Sequence, residues 1–275
     1  MTKTPAFIDT HAHLGDPRFD ESLNQVLDRA QLAGVVQIVA IGTTAADSAR
    51  LVELAAMHGG IFAAVGVHPN HASAAGPDDW PAVAHLASRP GVVAIGETGL
   101  DRYWHDTPFP VQQDWLDRHL ELAHSLDLPV VIHCRDAIPD CLEQFARLSR
   151  QIRGVMHAFS GTWDDAQAFL EMGFHISFAG MITFTNKSLD PLRDAAARVP
   201  LDRLLVETDS PYLTPHPFRG KPNEPARVAT TAERLAQIRD IPLERLAQHC
   251  TDNARLLFRL PDSRLLAASS HTELA

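Results

Sequence analysis

The chain has 275 residues, 45% of them hydrophobic and 21% charged, which supplies a sizeable core and excludes an intrinsically disordered protein. Its 24 lysines and arginines against 34 aspartates and glutamates leave a formal net charge of −10, which excludes the broad basic surface that drives salt-dependent duplex binding. No run approaches the roughly 18 apolar residues of a membrane helix and no apolar leader follows residues 1–6, so the expectation is a cytoplasmic protein without a membrane partner.

Short β-branched runs alternate with longer segments of helical period from the first residues onward. A first strand at residues 6–9 runs directly into Asp9-Thr10-His11-Ala12-His13, and a helix follows at 20–33. A second strand at 35–41 precedes a helix at 45–58, and a third at 61–67 ends on His68-Pro69 before a helix at 79–88. The fourth strand, 92–95, leads into Gly96-Glu97-Thr98-Gly99-Leu100-Asp101 and then a helix at 111–126, where Val111/Trp115 and Leu116/Leu120 stand four apart among charges. Pro110 suits the first turn of that helix. The fifth strand, 129–132, meets His133-Cys134-Arg135-Asp136 ahead of a helix at 137–148; the sixth, 154–156, meets His157-Ala158-Phe159-Ser160-Gly161 ahead of one at 164–172. A seventh strand at 175–178 and a helix at 189–198 precede the eighth strand, 204–206, which runs into Glu207-Thr208-Asp209-Ser210-Pro211 before helices at 226–239 and 243–257.

Eight strand–helix units in about 240 residues match an α/β protein with a TIM-type (β/α)8 barrel, whose site lies at the C-terminal ends of its strands. A doubly wound open sheet would share the alternation and is the alternative architecture. No linker composition interrupts the chain before residue 255, so the expectation is a single domain over residues 1–260 with a loosely held tail at 261–275. The three cysteines, Cys134, Cys141 and Cys250, lack knuckle spacing and read as buried thiols.

The informative residues are the 15 histidines and the carboxylates beside them. In an extended segment positions i and i+2 face one side, so His11 and His13 stand about 6–7 Å apart at their Cα atoms, a chelating arrangement. An HxH pair arises often by chance in so histidine-rich a chain, and a lone histidine is more often a core residue. Recurrence is what overturns that bland reading: strands one, four, five, six and eight each deliver a ligand-type side chain to one rim. Together His11, His13, Glu97, His133, His157 and Asp209 form a nitrogen and oxygen set suited to Zn2+, Mn2+ or Mg2+. Six ligands exceed what one ion holds with water, and two divalent ions bridged by a carboxylate fit better.

These stretches, with Gly66-Val67-His68-Pro69, Phe7-Ile8-Asp9-Thr10-His11-Ala12-His13-Leu14, Glu207-Thr208-Asp209-Ser210-Pro211-Tyr212-Leu213 and Arg219-Gly220-Lys221-Pro222-Asn223-Glu224-Pro225, resemble the TatD family of metal-dependent deoxyribonucleases among the amidohydrolase-like barrels. The resemblance spans nearly the whole chain in the family's order. It implies a two-metal site that hydrolyses DNA, often as a 3′-to-5′ exonuclease. Carried over by position, His11, His13 and Asp209 would hold one ion, His133 and His157 the other, and Glu97 would bridge them. Thr98, Arg102, Asn70 and Ala158 depart from the residues the family commonly has there, yet none is a proposed ligand.

For the chemistry, Asp209 is expected to ligate an ion and take the proton of the attacking water as the catalytic base. Arg135, two residues past His133, reads as a phosphate fork or a surface ion pair, and Arg219 and Lys221 as a local phosphate clamp or solvated loop charges. His68 reads as a contact to substrate or the scissile phosphate, or as a turn residue, and Tyr103, with Trp104, as a stacking platform for a base at single-stranded DNA ends or as aromatics packed under a loop, the commoner use of such a pair. A barrel hydrolase of the same metal chemistry acting on an amide, lactone or aminoacyl ester is the alternative enzyme. A non-catalytic metal-binding scaffold is the alternative from another class.

Overall fold

Most strand segments are apolar on both faces, which water tolerates poorly and a parallel sheet wrapped in helices accommodates. A computed structural model describes residues 5–148, 152–262 and 265–266 and shows that solution. The strands β1 (Phe7–Ala12), β2 (Val35–Ile41), β3 (Ile61–Val65), β4 (Val92–Asp101), β5 (Val130–Arg135), β6 (Gly154–Met156), β7 (His175–Phe178) and β8 (Leu204–Val206) pair in sequence order, every ladder parallel. Between β8 and β1 the closure rests on separate contacts: His13 donates its N–H to Ser210 O at 2.8 Å, Asp209 to His11 O at 2.9 Å, and Thr10 Oγ1 to Val206 O at 3.0 Å. The result is a nearly closed single-domain (β/α)8 barrel, and the doubly wound alternative falls.

Helices α1 (Leu23–Leu32), α2 (Ala45–Met57), α3 (Asp79–Leu86), α4 (Phe109–Leu126), α5 (Ile138–Ala146), α6 (Trp163–Glu171), α7 (Asp190–Arg198), α8 (Val228–Ile238) and α9 (Leu243–Phe258) surround the strands. Their starts follow local chemistry. Thr44 accepts from the Asp47 N–H at the head of α2, Thr162 and Asp165 form a reciprocal capping box at α6, and Pro110 occupies the first turn of α4. On α4 the buried stripe Trp115, Leu116, His119, Leu120 and Ala123 follows the helical repeat and packs into the layer between helices and strands. A second, smaller cluster joins Ile8, Val39, Phe62, Val131 and Leu205 of the strands to Leu257 and Phe258 of α9.

Three expected strands are longer in the structure, and all carry site residues, β5 continuing through His133 to Arg135. β1 continues through His11 and β4 through Glu97 to Asp101. Of the cysteines, Cys141 and Cys250 are buried and Cys134 is partly so, all three as free thiols. Within the expected tail, residues 263, 264 and 267–275 lie outside the described residues. Leu266 is buried and donates its N–H to Val36 O at 2.8 Å, and Pro261 O accepts from Gln37 Nε2 at 2.9 Å. No helix among the described residues is long and apolar enough to cross a membrane.

Candidate metal centre

The rim residues reach one point because the ladders are irregular where the ligands stand. The β1–β2 register shifts between Asp9 and Ala12, and the β4–β5 register between Ile95 and Thr98, around His11 and Glu97 respectively. Such local breaks re-aim a side chain that regular pleating would send elsewhere. Gly99 lets β4 press against β5 beside His133: its φ is +147°, and a Cβ there would lie 1.9 Å from His133 O. Asp209, beyond β8, holds a left-handed φ of +56°, a conformation aspartate tolerates better than most residues.

The first cluster is built on Glu97 Oε2. His11 Nε2 lies 3.5 Å and His13 Nε2 3.6 Å from that oxygen, while Asp209 Oδ1 is 3.6 Å from His11 Nε2 and 3.3 Å from His13 Nε2. The two nitrogens approach each other to 3.2 Å. Ligand bonds of about 2.0–2.2 Å to a four-coordinate ion give polyhedron edges of roughly 3.3–3.6 Å, so these four atoms are spaced as ligands. With the His13 Nδ1 proton given to Ile41 O at 3.2 Å, the neutral ring turns its Nε2 lone pair into the cluster. A cation between the atoms satisfies all of them.

The second cluster uses the other oxygen of the same carboxylate. Glu97 Oε1 lies 2.8 Å from His157 Nε2 and 3.0 Å from His133 Nδ1, and these nitrogens are 3.4 Å apart. Each histidine turns its remaining nitrogen to a carboxylate: His133 Nε2 to Asp101 Oδ2 at 2.8 Å, and His157 Nδ1 to Glu207 Oε1 at 3.3 Å. A ligating imidazole anchored this way has its tautomer and ring plane fixed for metal binding. Asp101 and Glu207 are the residues that the sequence reasoning passed over as ligand supports, although strand alternation puts Glu207 two residues before Asp209. Glu207 Oε2 and His11 Nδ1 are both buried without a hydrogen-bond partner, a further sign that the cluster is shaped for a group besides the protein. The residues therefore fit divalent metal, in two groups that share Glu97.

The electrostatics agree with a carboxylate-centred site. Burial alone pushes Glu97 up, but the surrounding imidazoles of His157, His68 and His11 outweigh it and hold Glu97 well below the usual carboxylate range. Burial likewise opposes ionisation of Asp209, and His13 and His11 outweigh it to keep that carboxyl low. Asp101 is lowered to about 2, burial being overcome chiefly by the His133 hydrogen bond and the Trp104 N–H. Burial pushes Asp9 up to about 8 despite its bonds to the Thr208 hydroxyl and N–H, which help join β1 to the segment after β8.

A cavity of about 660 Å³ opens over the centre and is lined by Glu97, His133, His157 and Asp209 at its floor. His68 reaches the same place, with Nε2 3.5 Å from Glu97 Oε1, and its Nδ1 accepts the Asn70 N–H at 3.1 Å. Trp104 and Tyr212 stand in the wall. Arg135, Arg219, Lys221 and Tyr103 do not line it. The Arg135 guanidinium lies 4.1 Å from the centroid of the Tyr103 ring, Arg219 lies 4.1 Å from that of Phe184 and donates to Thr214 O, and Lys221 is exposed on the loop after β8. Arg102, one of the departures from the family pattern, pairs with Asp140 away from the cavity.

Comparison with known proteins matches this arrangement. A family model described as TatD related DNase matches residues 8–259. The metal-dependent hydrolase YabD of Bacillus subtilis is 38% identical over 253 residues, covering 92% of this chain and 98% of its own. The 3′-5′ ssDNA/RNA exonuclease TatD of Erwinia billingiae is 36% identical over 260 residues, covering 92% of this chain and 99% of its own. The crystal structure of YJJV, a TatD homologue from Escherichia coli, superposes with a TM-score of 0.87 at 35% identity, covering 93% of this chain and 98% of that one. With a rim of histidines and carboxylates spaced for ligation, on a barrel matched end to end by such relatives, the chain belongs to the TatD family of metal-dependent hydrolases.

Proposed function

We propose that this protein is a metal-dependent deoxyribonuclease that digests DNA from single-stranded 3′ ends, working with two divalent ions drawn from Mg2+, Mn2+ and Zn2+. The observation that carries the reading is the division of Glu97, whose Oε2 faces His11 and His13 while Oε1 faces His133 and His157. His11, His13 and Asp209 would hold one ion and His133 and His157 the other, with Glu97 between. Divalent ions there would neutralise a phosphodiester's charge and acidify the attacking water. The activity in the name of the Erwinia billingiae relative supports this reaction class.

The chain's own residues supply the rest. Asp209 lines the cavity and is held ionised by His13 and His11, which is the state a base needs to take the water's proton. His68 accepts the Asn70 N–H on Nδ1, so its proton resides on Nε2, beside Glu97 Oε1 in the cavity wall, where it would meet a phosphate oxygen bound at the centre. Arg135, Arg219 and Lys221 stand outside the cavity and would meet only a strand that extends past it. The three free thiols suit a reducing, cytoplasmic setting.

The same centre would also serve hydrolysis of an amide, lactone or aminoacyl ester, a second reading favoured by a cavity wall in which Asp16, Asp47 and Asp106 occur without a lysine or arginine. Metal analysis followed by digestion of 3′-hydroxyl and 3′-blocked oligonucleotides, with and without EDTA, separates the two. Two ions per chain and chelator-sensitive digestion of the unblocked strand are expected. A fully metallated protein that spares DNA and cleaves an ester would overturn the nuclease reading.

A further inference from the structure

The nuclease reading leaves a problem of recognition, since a cavity meant for a polyanion offers no lysine or arginine in its wall. What the wall offers instead is two large aromatic side chains with free surface. Trp104 is 51% and Tyr212 49% exposed, although both belong to tightly held turns. The Trp104 N–H donates to Asp101 Oδ1, on the carboxylate that anchors His133, and the Tyr212 N–H donates to Asp209 O. Each aromatic thus sits three residues past an aspartate of the centre. Tyr212 stands beside the first cluster, with its ring centroid 5.8 Å from that of His13, and Trp104 is tied to the second through Asp101 and shares the cavity wall with His133.

Each ring is also backed. Arg18, held by Asp16 through two hydrogen bonds of 2.8 Å, places its guanidinium 4.5 Å from the centroid of the Tyr212 ring. Tyr103 meets Trp104 edge-on with ring centroids 5.0 Å apart, and Tyr103 in turn carries Arg135. Of the two rings that the sequence pointed to, Trp104 lines the cavity and Tyr103, itself half exposed, stands behind it. A buttressed ring loses little conformational entropy when a ligand stacks on it, which is what makes an aromatic platform effective.

Resting on the nuclease reading, we propose that Trp104 and Tyr212 are paired stacking platforms that hold the two nucleobases flanking the scissile phosphate, so that substrate is selected by unstacked bases. Double-stranded DNA, whose bases are engaged with each other, is excluded by the same device. Binding would depend weakly on salt, because charge neutralisation is left to the metal centre.

The test measures KM and kcat on a 3′-hydroxyl oligonucleotide for the metal-loaded wild type, Trp104→Ala, Tyr212→Ala and the matching Phe variants. Each Ala variant is expected to raise KM by about 5- to 150-fold, the weight of one base stack, with kcat and bound metal unchanged and with Phe restoring most of the loss. On an oligonucleotide whose two terminal nucleotides are abasic, the Ala variants and the wild type should converge. Between 50 and 200 mM salt the wild-type KM should rise less than about tenfold, where a protein making 6–10 phosphate contacts loses about a thousandfold or more. Ala variants with wild-type KM on DNA that the wild type digests, or a penalty that persists on the abasic strand, overturn the stacking proposal alone. A metal-loaded wild type that leaves DNA intact overturns it together with the nuclease reading.

Discussion

Replacing Asp101 by Asn probes how a carboxylate that never touches an ion governs one. Asp101 Oδ1 accepts from the Tyr103 and Trp104 N–H groups at 2.8 and 2.9 Å, and Oδ2 from His133 Nε2 at 2.8 Å and Asn70 Nδ2 at 3.2 Å. In Asp101→Asn the amide oxygen keeps the two backbone donors, and the amide NH2 then faces two donors. His133 relieves the clash by moving its proton to Nδ1, the nitrogen that faces Glu97. A protonated Nδ1 has no lone pair for a metal. Burial raises the Asp101 carboxyl, and its partners, His133 first, outweigh burial and bring it to about 2, so Asp101 meets His133 as a carboxylate. Removal of such a supporting carboxylate typically costs a roughly 10- to 100-fold loss of metal affinity. Calorimetric titration of metal-stripped protein with Mn2+ should show the His133 site weakened by that factor and the His11 site unchanged. Wild-type affinity at both sites would refute the tautomer argument.

Other outcomes follow from the same geometry. Asp209→Asn should keep the fold and lower turnover about 10²- to 10⁴-fold, the usual weight of a general base, as measured by steady-state digestion of an oligonucleotide; near-normal turnover would remove the proposed role. Removing the metals with EDTA should lower the thermal midpoint by about 5–10 °C, since ions bound only by the folded chain add about 3 kcal/mol when present at a hundred times their dissociation constant; an unchanged midpoint would mean that the cluster holds none. His119 is buried and lowered to about 4, its Nδ1 proton given to Trp115 O and its Nε2 accepting the Val67 N–H. With a folded pKa below the unfolded 6.5, its contribution is whole above pH 6.5 and is lost as pH falls toward 4, to a limit of about 3 kcal/mol. Urea titrations at pH 7 and 4.5 should therefore show His119→Gln losing about 2 kcal/mol less than the wild type, and equal losses would contradict the assignment. His175, also buried and lowered to about 4, adds to acid sensitivity in the same direction.

The site was legible in the sequence to the extent that its residues obey local rules. His11 and His13 share a strand face by the period of two, and Glu97, His133, His157 and Asp209 each follow an apolar run that had to be a buried strand. The parallel barrel follows from the same alternation, because strands buried on both faces need helices outside and one another inside. Substrate contacts were less legible. Tyr103 and Trp104 are neighbours in sequence, and only the tertiary structure places Trp104 in the cavity wall and Tyr103 against Arg135.

What the chain alone determined, then, is the ligand types, their order and the rim they share, since hydrophobic periodicity and strand-end position are properties of short segments. Only the tertiary structure decided which nitrogen of each histidine faces the centre, that Asp101 and Glu207 hold His133 and His157 in place, and that Glu97 divides its oxygens between two clusters. These are distances between residues 32 to 86 positions apart, as in His133 with Asp101 and His11 with Glu97. They are set by barrel closure, by the register breaks in β1 and β4 and by the close approach at Gly99, which depend on every strand at once.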